Sequence, residues 1–349
     1  MELLLLCPGC RTRTGDRIDV RTLSPVALGA DTDAETGAGG PERQGVLVCE
    51  CGRRYPVIDG VPIVMADPSG YVRSEIATIV ERDLPPEVAA LLAADGPDDA
   101  PYPRMLEHLS IYLDAHWGDR AEPPPGFGPG FGPGFGIGAL ADKIAERAAH
   151  PVELAVELGC STGRIVAELA RGAARVAGLD LHFAALRRAR RLLDGETLGY
   201  ARRMVGRRYA PARIAPGDRT VPAARRLLVC GDALDPPLVP GAFDRVVALN
   251  VIDAVASPAQ LLAVLDGLCA PGGEIIVSSP YAWQSTVMAD AERIGGLDPA
   301  ATLAAMFRAG TGLSSRYAIE DEVDLPWTLR RDARTRVSYS IHYLRARKM

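Results

Sequence analysis

The sequence predicts an α/β protein whose main unit is a doubly wound, Rossmann-like sheet, preceded by a small cysteine-rich unit. Three observations predict it. From about residue 139 onward, apolar runs alternate with helical stretches, as they do when crossover helices join parallel strands. A Gly-rich turn, Gly159-Cys-Ser-Thr-Gly163, stands where the first of those runs gives way to a helical segment. Two cysteine pairs, Cys7 with Cys10 and Cys49 with Cys51, sit near the two ends of residues 1–66.

The elements follow in chain order. MELLLLC has four leucines before its cysteine and no basic residue, so it reads as a strand entering a metal knuckle rather than as a secretion signal. A C-x-x-C turn aims two thiolates at one point, and a second pair completes a tetrahedral zinc site. Cys7, Cys10, Cys49 and Cys51 are therefore the expected ligands; the second pair is C-x-C, one residue short of the usual knuckle, which leaves three-thiolate coordination or an unmetallated ribbon as the alternatives. Four thiolates leave no open coordination position, which makes such a zinc structural. The polar, Gly-rich stretch LSPVALGADTDAETGAGGPERQG between the pairs reads as a long loop.

Residues 67–122 form a helical cap, because EVAALLAA and MLEHLSIYLDAHW repeat apolar residues every three or four positions. Tyr112 and His116 are one helical turn apart and can face one side, as candidates for the lid of a site. PPPGFGPGFGPGFGIG, residues 123–138, is a low-complexity linker. The remaining unit, 139–349, offers five strands: VELAVELG (152–159), ARVAGLD (174–180), RLLVCGDA (226–233), FDRVVALNVI (243–252) and GEIIVSSPY (273–281). IVAELARGA, AALRRARRLL and AQLLAVLDGL are helical stretches between them, and SYSIHYLRAR closes the sheet as an antiparallel hairpin with LPWTLRRDAR.

Composition narrows the function classes. With 48% hydrophobic and 24% charged residues the chain is neither fibrous nor disordered, and its net charge of −5 argues against holding nucleic acid by bulk charge. No apolar run approaches the roughly 18 residues that cross a bilayer. Only Lys143 and Lys348 of the 39 basic residues are lysines, so arginine clusters are weaker signals here than usual. Residues 187–226 hold 12 arginines against Asp194, Glu196 and Asp218, which reads either as a phosphate-binding strip or as a solvated face. Seven cysteines, an odd number in dissimilar settings, imply no disulfide framework and a reducing cytoplasm.

The chemistry gathers at the strand ends. Gly159 and Gly163 allow a tight turn and close approach of a ligand, at a helix start that offers free N–H groups. Twenty-one residues after Gly159, Gly178-Leu-Asp180 ends the next strand with a carboxylate able to accept both hydroxyls of a ribose. Cys230-Gly-Asp232-Ala233 ends the third and Leu249-Asn250 the fourth. This ordered set, ELGCSTGR, GLD, GDA, FDRVVALN and PGGEIIV, resembles a class I S-adenosylmethionine-dependent methyltransferase. That resemblance implies a seven-stranded sheet with a final antiparallel strand. It also implies that Glu157, Gly159, Ser161 and Gly163 line the methionine side of the cofactor. Asp180 and Leu181 would hold the ribose and adenine face, Asp232 and Ala233 the adenine edge, and Asn250 the region behind the methyl.

A narrower resemblance rests on Asn250-Val-Ile-Asp253, Ser278-Ser-Pro-Tyr281-Ala-Trp283, Gly295-Gly296, Asp324-Leu-Pro-Trp327 and Tyr339 with His342. These are similar to the N-methyltransferases of 4-mercaptohistidine in ovothiol formation, which carry an insertion where YARRMVGRRY (200–209) stands. The acidic residue expected in that insertion is replaced by Val205-Gly206. LVCECGRRYPVIDGVPIVM resembles the zinc ribbon of the activator subunit of tRNA and protein methyltransferases. The expected activity is methyl transfer to nitrogen or sulfur of a small, imidazole-like molecule or of a peptide. Asn250, Tyr281, Trp283, Tyr112 and His116 are the expected acceptor-side residues, and the ribbon offers a protein-docking face. The alternatives are an RNA methyltransferase gripping its substrate through the ribbon and the Arg-rich insertion, and a non-catalytic adapter. Against RNA, no Asn-Pro-Pro-aromatic run follows the fourth strand.

Overall fold

The computed structural model describes residues 5–14, 17–26, 44–94, 101–121 and 136–349. The predicted linker, apart from its last three residues, and most of the loop between the cysteine pairs lie outside the described residues.

The centre is a seven-stranded sheet built from β7 (Val152–Leu158), β8 (Ala173–Asp180), β11 (Arg226–Cys230), β12 (Phe243–Leu249), β13 (Cys269–Ser279), β14 (Tyr317–Arg330) and β15 (Arg336–Lys348). Their spatial order is β11-β8-β7-β12-β13-β15-β14. The inner strands pair in parallel, and β15 runs antiparallel to both β13 and β14, as the closing hairpin predicts. Alternation along each strand feeds two cores. Ala155, Val176 and Val247 face one layer with helices α5 (Gly138–Glu146), α6 (Arg164–Leu169) and α7 (Phe183–Leu193); Leu154, Val156, Ala177 and Val246 face the other, with α8 (Pro258–Leu268) and α9 (Pro299–Ala309).

The cysteine-rich unit adds short strands: β1 (Thr12–Thr14) and β2 (Arg17–Asp19) form one ladder, and β3 (Ser24–Val26), β4 (Gly45–Val48), β5 (Arg54–Ile58) and β6 (Val61–Pro62) another. Too small to bury a core alone, it shares the second core through Leu5, Leu23, Leu47, Tyr55 and Val64. It also covers the free edge of β11. Ile63 bridges Cys230 in parallel, the Val64 N–H donates to the Cys230 carbonyl at 2.9 Å, and the Leu6 N–H donates to the Pro237 carbonyl at 2.9 Å.

Helices α1 (Pro68–Ser74), α2 (Ile76–Val80), α3 (Pro86–Ala94) and α4 (Pro101–Trp117) follow where the sequence predicts a helical cap. The 200–209 stretch proves to be most of a hairpin, β9 (Leu198–Val205) with β10 (Arg208–Ile214), seated on α3 and α4. Its arginines hid the strand alternation. Arg202 is only 1% exposed and pairs with Asp114 of α4. The phosphate-strip reading of residues 187–226 gives way to internal pairing. Arg187, Arg188 and Arg191 meet Glu81 and Asp83, Arg219 meets Glu168, and Arg226 meets Asp194.

Candidate active site

Three strand ends carry strained backbone. Ser161 after β7, Asn250 after β12 and Tyr281 after β13 all have positive φ (46°, 56° and 54°), a conformation costly for residues with a Cβ and found preferentially at functional sites. Gly159 has φ +80°, and a Cβ there would come within 2.4 Å of the Val251 side chain, so the turn tolerates only glycine.

The first two of these strand ends, with those of β8 and β11, open onto a cleft of about 490 Å³ at the carboxyl edge of the sheet, the position where doubly wound sheets bind ligands. Ten of the residues expected at the site line it: Tyr112, His116, Glu157, Gly159, Ser161, Asp180, Leu181, Asp232, Ala233 and Asn250. Gly163 does not. It caps α6 with φ +80°, and its hydrogens face Ala189 of α7. Tyr281 and Trp283 also lie outside the lining; they pack on each other at 5.6 Å, and the Tyr281 hydroxyl bonds His342 Nδ1 at 2.8 Å. These three therefore stand beside the cleft lining rather than in it.

Several cleft residues are fixed from behind. Asp180 Oδ2 accepts the Ser161 N–H at 2.7 Å and Oδ1 the His182 N–H at 2.8 Å, tying the Gly-rich turn to the start of α7. The Asn250 amide oxygen accepts the Ser278 hydroxyl at 2.9 Å, leaving its NH₂ as the free end. The Asp232 carboxylate, which is exposed, accepts the Leu234 N–H at 2.8 Å. The Tyr71 hydroxyl donates to the Leu181 carbonyl at 2.6 Å, so helix α1 holds the segment after β8. Trp117 is fully buried and donates its indole N–H to the Thr162 carbonyl at 3.0 Å, which clamps α4 onto the Gly-rich turn. Gly136 and Ile137, the last described step before α5, bond to Thr328 and Ala115 and close the same wall.

The sequence reading missed His108. It stands one turn before Tyr112, and the pattern His108, Tyr112, His116 at four-residue spacing was the signal available. Their rings follow one another at 4.5 and 6.3 Å, and His182 joins at 5.7 Å from His108. Burial pushes both His108 and His116 down to about 4, so both imidazoles are neutral at pH 7. Trp327 also lines the cleft, stacked near Tyr339 at 5.0 Å.

Glu157 is 1% exposed, and one of its carboxylate oxygens has no hydrogen-bond partner, as is true of His116 Nδ1 and Thr162 Oγ1. Burial first, and the Asp180 charge second, raise the Glu157 carboxyl well above its usual 4.5. A carboxyl raised on folding is stabilising while protonated, and that contribution is lost as the pH climbs above the usual value. Glu157→Gln is therefore expected to raise the Tm of the ligand-free protein at pH 7 by about 2–4 °C for each kcal/mol relieved. It should leave Tm unchanged near pH 4. An equal Tm at both pH values would show that Glu157 is not under this stress.

The four cysteine sulfurs lie within 4.8 Å of one another, with Cys10 to Cys49 at 3.6 Å and Cys7 to Cys51 at 3.9 Å. A tetrahedral zinc with ~2.3 Å sulfur bonds requires sulfur separations of roughly 3.8 Å. Gly52 turns the chain back at φ +88° just after the C-x-C pair, and backbone bonding from Arg53 draws the Cys51 thiol down to about 6.

Residues 156–277 match a family model described as a methyltransferase domain. The match spans about a third of the chain, from within β7 into β13, and includes every strand end that opens on the cleft. Residues 156–277, which hold the strand ends lining the cleft, are a methyltransferase domain. No curated protein matches the sequence. Among solved structures, the chain is similar to the N-methyltransferase NodS of Bradyrhizobium japonicum WM9 with S-adenosyl-L-homocysteine (14% identity, 70% of this chain, 97% of that one, TM-score 0.42). It is also similar to magnesium protoporphyrin IX methyltransferase of Synechocystis PCC 6803 (15%, 60% and 79%, 0.36) and to a Haloferax volcanii methyltransferase activator complex (16%, 60% and 92%, 0.39).

The cleft residues fit the cofactor. Glu157, Asp180 and Asp232 are carboxylates, and neither lysine nor arginine lines the cleft among the described residues, which suits a ligand bearing an ammonium and a sulfonium. The orphaned Glu157 oxygen is a buried acceptor without a donor. No described helix is long and apolar enough to cross a membrane.

Proposed function

We propose that this methyltransferase acts on a nitrogen or sulfur atom of a small imidazole- or thiol-bearing molecule, or of the same group in a peptide. The observation that carries the reading is the character of the cleft wall: neutral imidazoles and aromatic rings face carboxylates, with no cation among the described lining residues. Such a wall repels phosphates and accepts an uncharged or cationic acceptor, which disfavours the RNA reading.

S-adenosylmethionine supplies a methyl group on a positively charged sulfur. Glu157, Gly159 and Ser161 would hold its methionine end, Asp180 and Leu181 its ribose, and Asp232 and Ala233 its adenine. Tyr112, His116 and Asn250 would orient the acceptor, and the Asn250 amide, its oxygen already engaged by Ser278, presents N–H donors. A neutral amine or a thiolate attacks in line without a strong base, so alignment in a dry pocket is the main contribution of the protein. His116, neutral and with an unpartnered Nδ1, can hydrogen-bond the acceptor and help to orient it, while the proton that a neutral amine sheds after transfer leaves to solvent.

Residues 1–66 would act as a zinc ribbon in cis. The knuckle holds the adenine-side loop, because Arg11 pairs with Asp235 at 3.0 Å and donates to its carbonyl at 3.3 Å. Calorimetric titration with S-adenosylhomocysteine, on protein assayed for zinc, tests both parts. Micromolar binding with about one zinc per chain is expected. Absence of binding by folded, zinc-loaded protein would overturn the functional reading.

A further inference from the structure

The rim of the cleft carries a charge opposite to that of the chain as a whole. Two hairpin tips meet there: the Ala333 N–H in the β14–β15 turn donates to the Met204 carbonyl near the β9–β10 turn at 2.8 Å, and Glu107 of α4 accepts from both Arg203 and Arg331. The joined tips present Arg203, Arg208, Arg331 and Arg334; all but the half-buried Arg203 are exposed. Against these four arginines the described residues of the two tips and their α4 contact place Glu107 and Asp332, in a chain of net charge −5.

The patch is built into the cleft wall. Buried Asp114, between Tyr112 and His116 on α4, accepts from Tyr200 and Arg202 of β9 and from Arg330 of β14, so one carboxylate locks helix and both hairpins together. Trp327 lines the cleft, and at about 3.3 Å per strand residue the tip at Arg331 stands roughly 13 Å further along the same strand. Guanidinium groups bind carboxylates and phosphates alike. The surroundings distinguish them. Among the described residues the patch has no exposed aromatic ring on which bases could stack, since Tyr209 and Tyr339 are half-buried against the core. The cleft it leads into is lined with carboxylates rather than cations.

Resting on the reading of the chain as a methyltransferase of small or peptide-borne groups, we propose that this rim docks an acidic polypeptide. The methyl acceptor is then a side chain about four extended residues from a run of carboxylates. The rim captures the acidic run, and the aromatic wall receives the side chain. Complementary charge of this kind speeds capture and sets register while leaving the chemistry to the cleft.

Fluorescence anisotropy of the full chain, saturated with S-adenosylhomocysteine, tests this with three labelled probes: a ten-residue glutamate peptide, a ten-residue Gly-Ser peptide and a ten-nucleotide uridylate. The glutamate peptide is expected to bind at low salt, to be released by high salt, and to lose about tenfold or more in affinity to an Arg208→Glu, Arg334→Glu double variant. Both residues are exposed and lie outside the cofactor cleft, so the variant should bind S-adenosylhomocysteine like the parent. Tighter binding of uridylate, equal binding of the Gly-Ser peptide, unchanged affinity in the variant, or no binding of the glutamate peptide would each overturn the proposal. Failure of the parent chain to bind S-adenosylhomocysteine would instead remove the cofactor reading beneath it.

Discussion

Replacing Asp180 with alanine is expected to weaken S-adenosylhomocysteine binding by about 100-fold, or ~2.7 kcal/mol. The carboxylate does two things at once. It accepts the Ser161 and His182 N–H groups at 2.7 and 2.8 Å, holding a turn that Ser161 enters at φ +46°, and it faces the cleft where a ribose would lie. Hydrogen bonds to a charged acceptor contribute about 1.5–3 kcal/mol each, so loss of the turn and of the ligand contact together reaches this size. Asp180→Asn keeps one acceptor oxygen and should lose about tenfold. Asp232→Ala, at an exposed residue engaged with the Leu234 N–H, should lose only a few-fold. Calorimetry on the three variants ranks them directly. If Asp180→Ala binds as tightly as the parent, the ribose is not placed there.

The sheet was legible in the sequence because its inner strands are buried on both faces, and so read as unbroken apolar runs ending in glycine or an acid. VELAVELG and FDRVVALN leave little alternative. The Gly-rich turn and the carboxylates after β8 and β11 were legible for the same reason, since strand order alone brings those ends together. The β9–β10 hairpin was not. Its inward positions include Arg202, whose burial depends on an acid 88 residues away in sequence on another element. Arginine bias compounded this. The guanidinium groups of Arg187, Arg188 and Arg226 look like solvated charge in one dimension and prove to be internal fasteners in three. Tyr281 and Trp283 were legible as aromatic residues just past a strand end, but the partner of the Tyr281 hydroxyl, His342, comes from another strand and was not. His108 lay in plain sight at helical spacing from Tyr112 and His116, but a histidine on an amphipathic helix carries no mark of the cleft it faces.

Asp114 is the residue on which the cap depends, and its removal should be among the most destabilising single changes in the chain. Its carboxylate is 0% exposed and is met by Arg202 Nε at 2.9 Å, Arg330 Nη1 at 2.8 Å and the Tyr200 hydroxyl. Burial of a charge costs several kcal/mol unless opposite charges and donors surround it, and deleting one partner strands the others. Asp114→Ala leaves two guanidinium groups, 1% and 4% exposed, facing one another without the carboxylate between them. A loss of about 3–5 kcal/mol in denaturant-unfolding free energy is expected. Asp114→Asn retains shape and acceptor but not charge, and should fall between parent and alanine. Replacing Asp114 together with Arg202 and Arg330 by apolar residues of similar volume should recover much of the loss, because the penalty lies in the stranded charges rather than in missing contacts. Arg330 joins the β14–β15 hairpin to α4, so Asp114→Ala should also loosen the wall that carries Tyr112 and His116 and weaken S-adenosylhomocysteine binding several-fold. A stability loss below about 1 kcal/mol would mean that water relieves the two arginines and that the cap is held by its apolar face alone, through Leu109, Leu113 and Trp117.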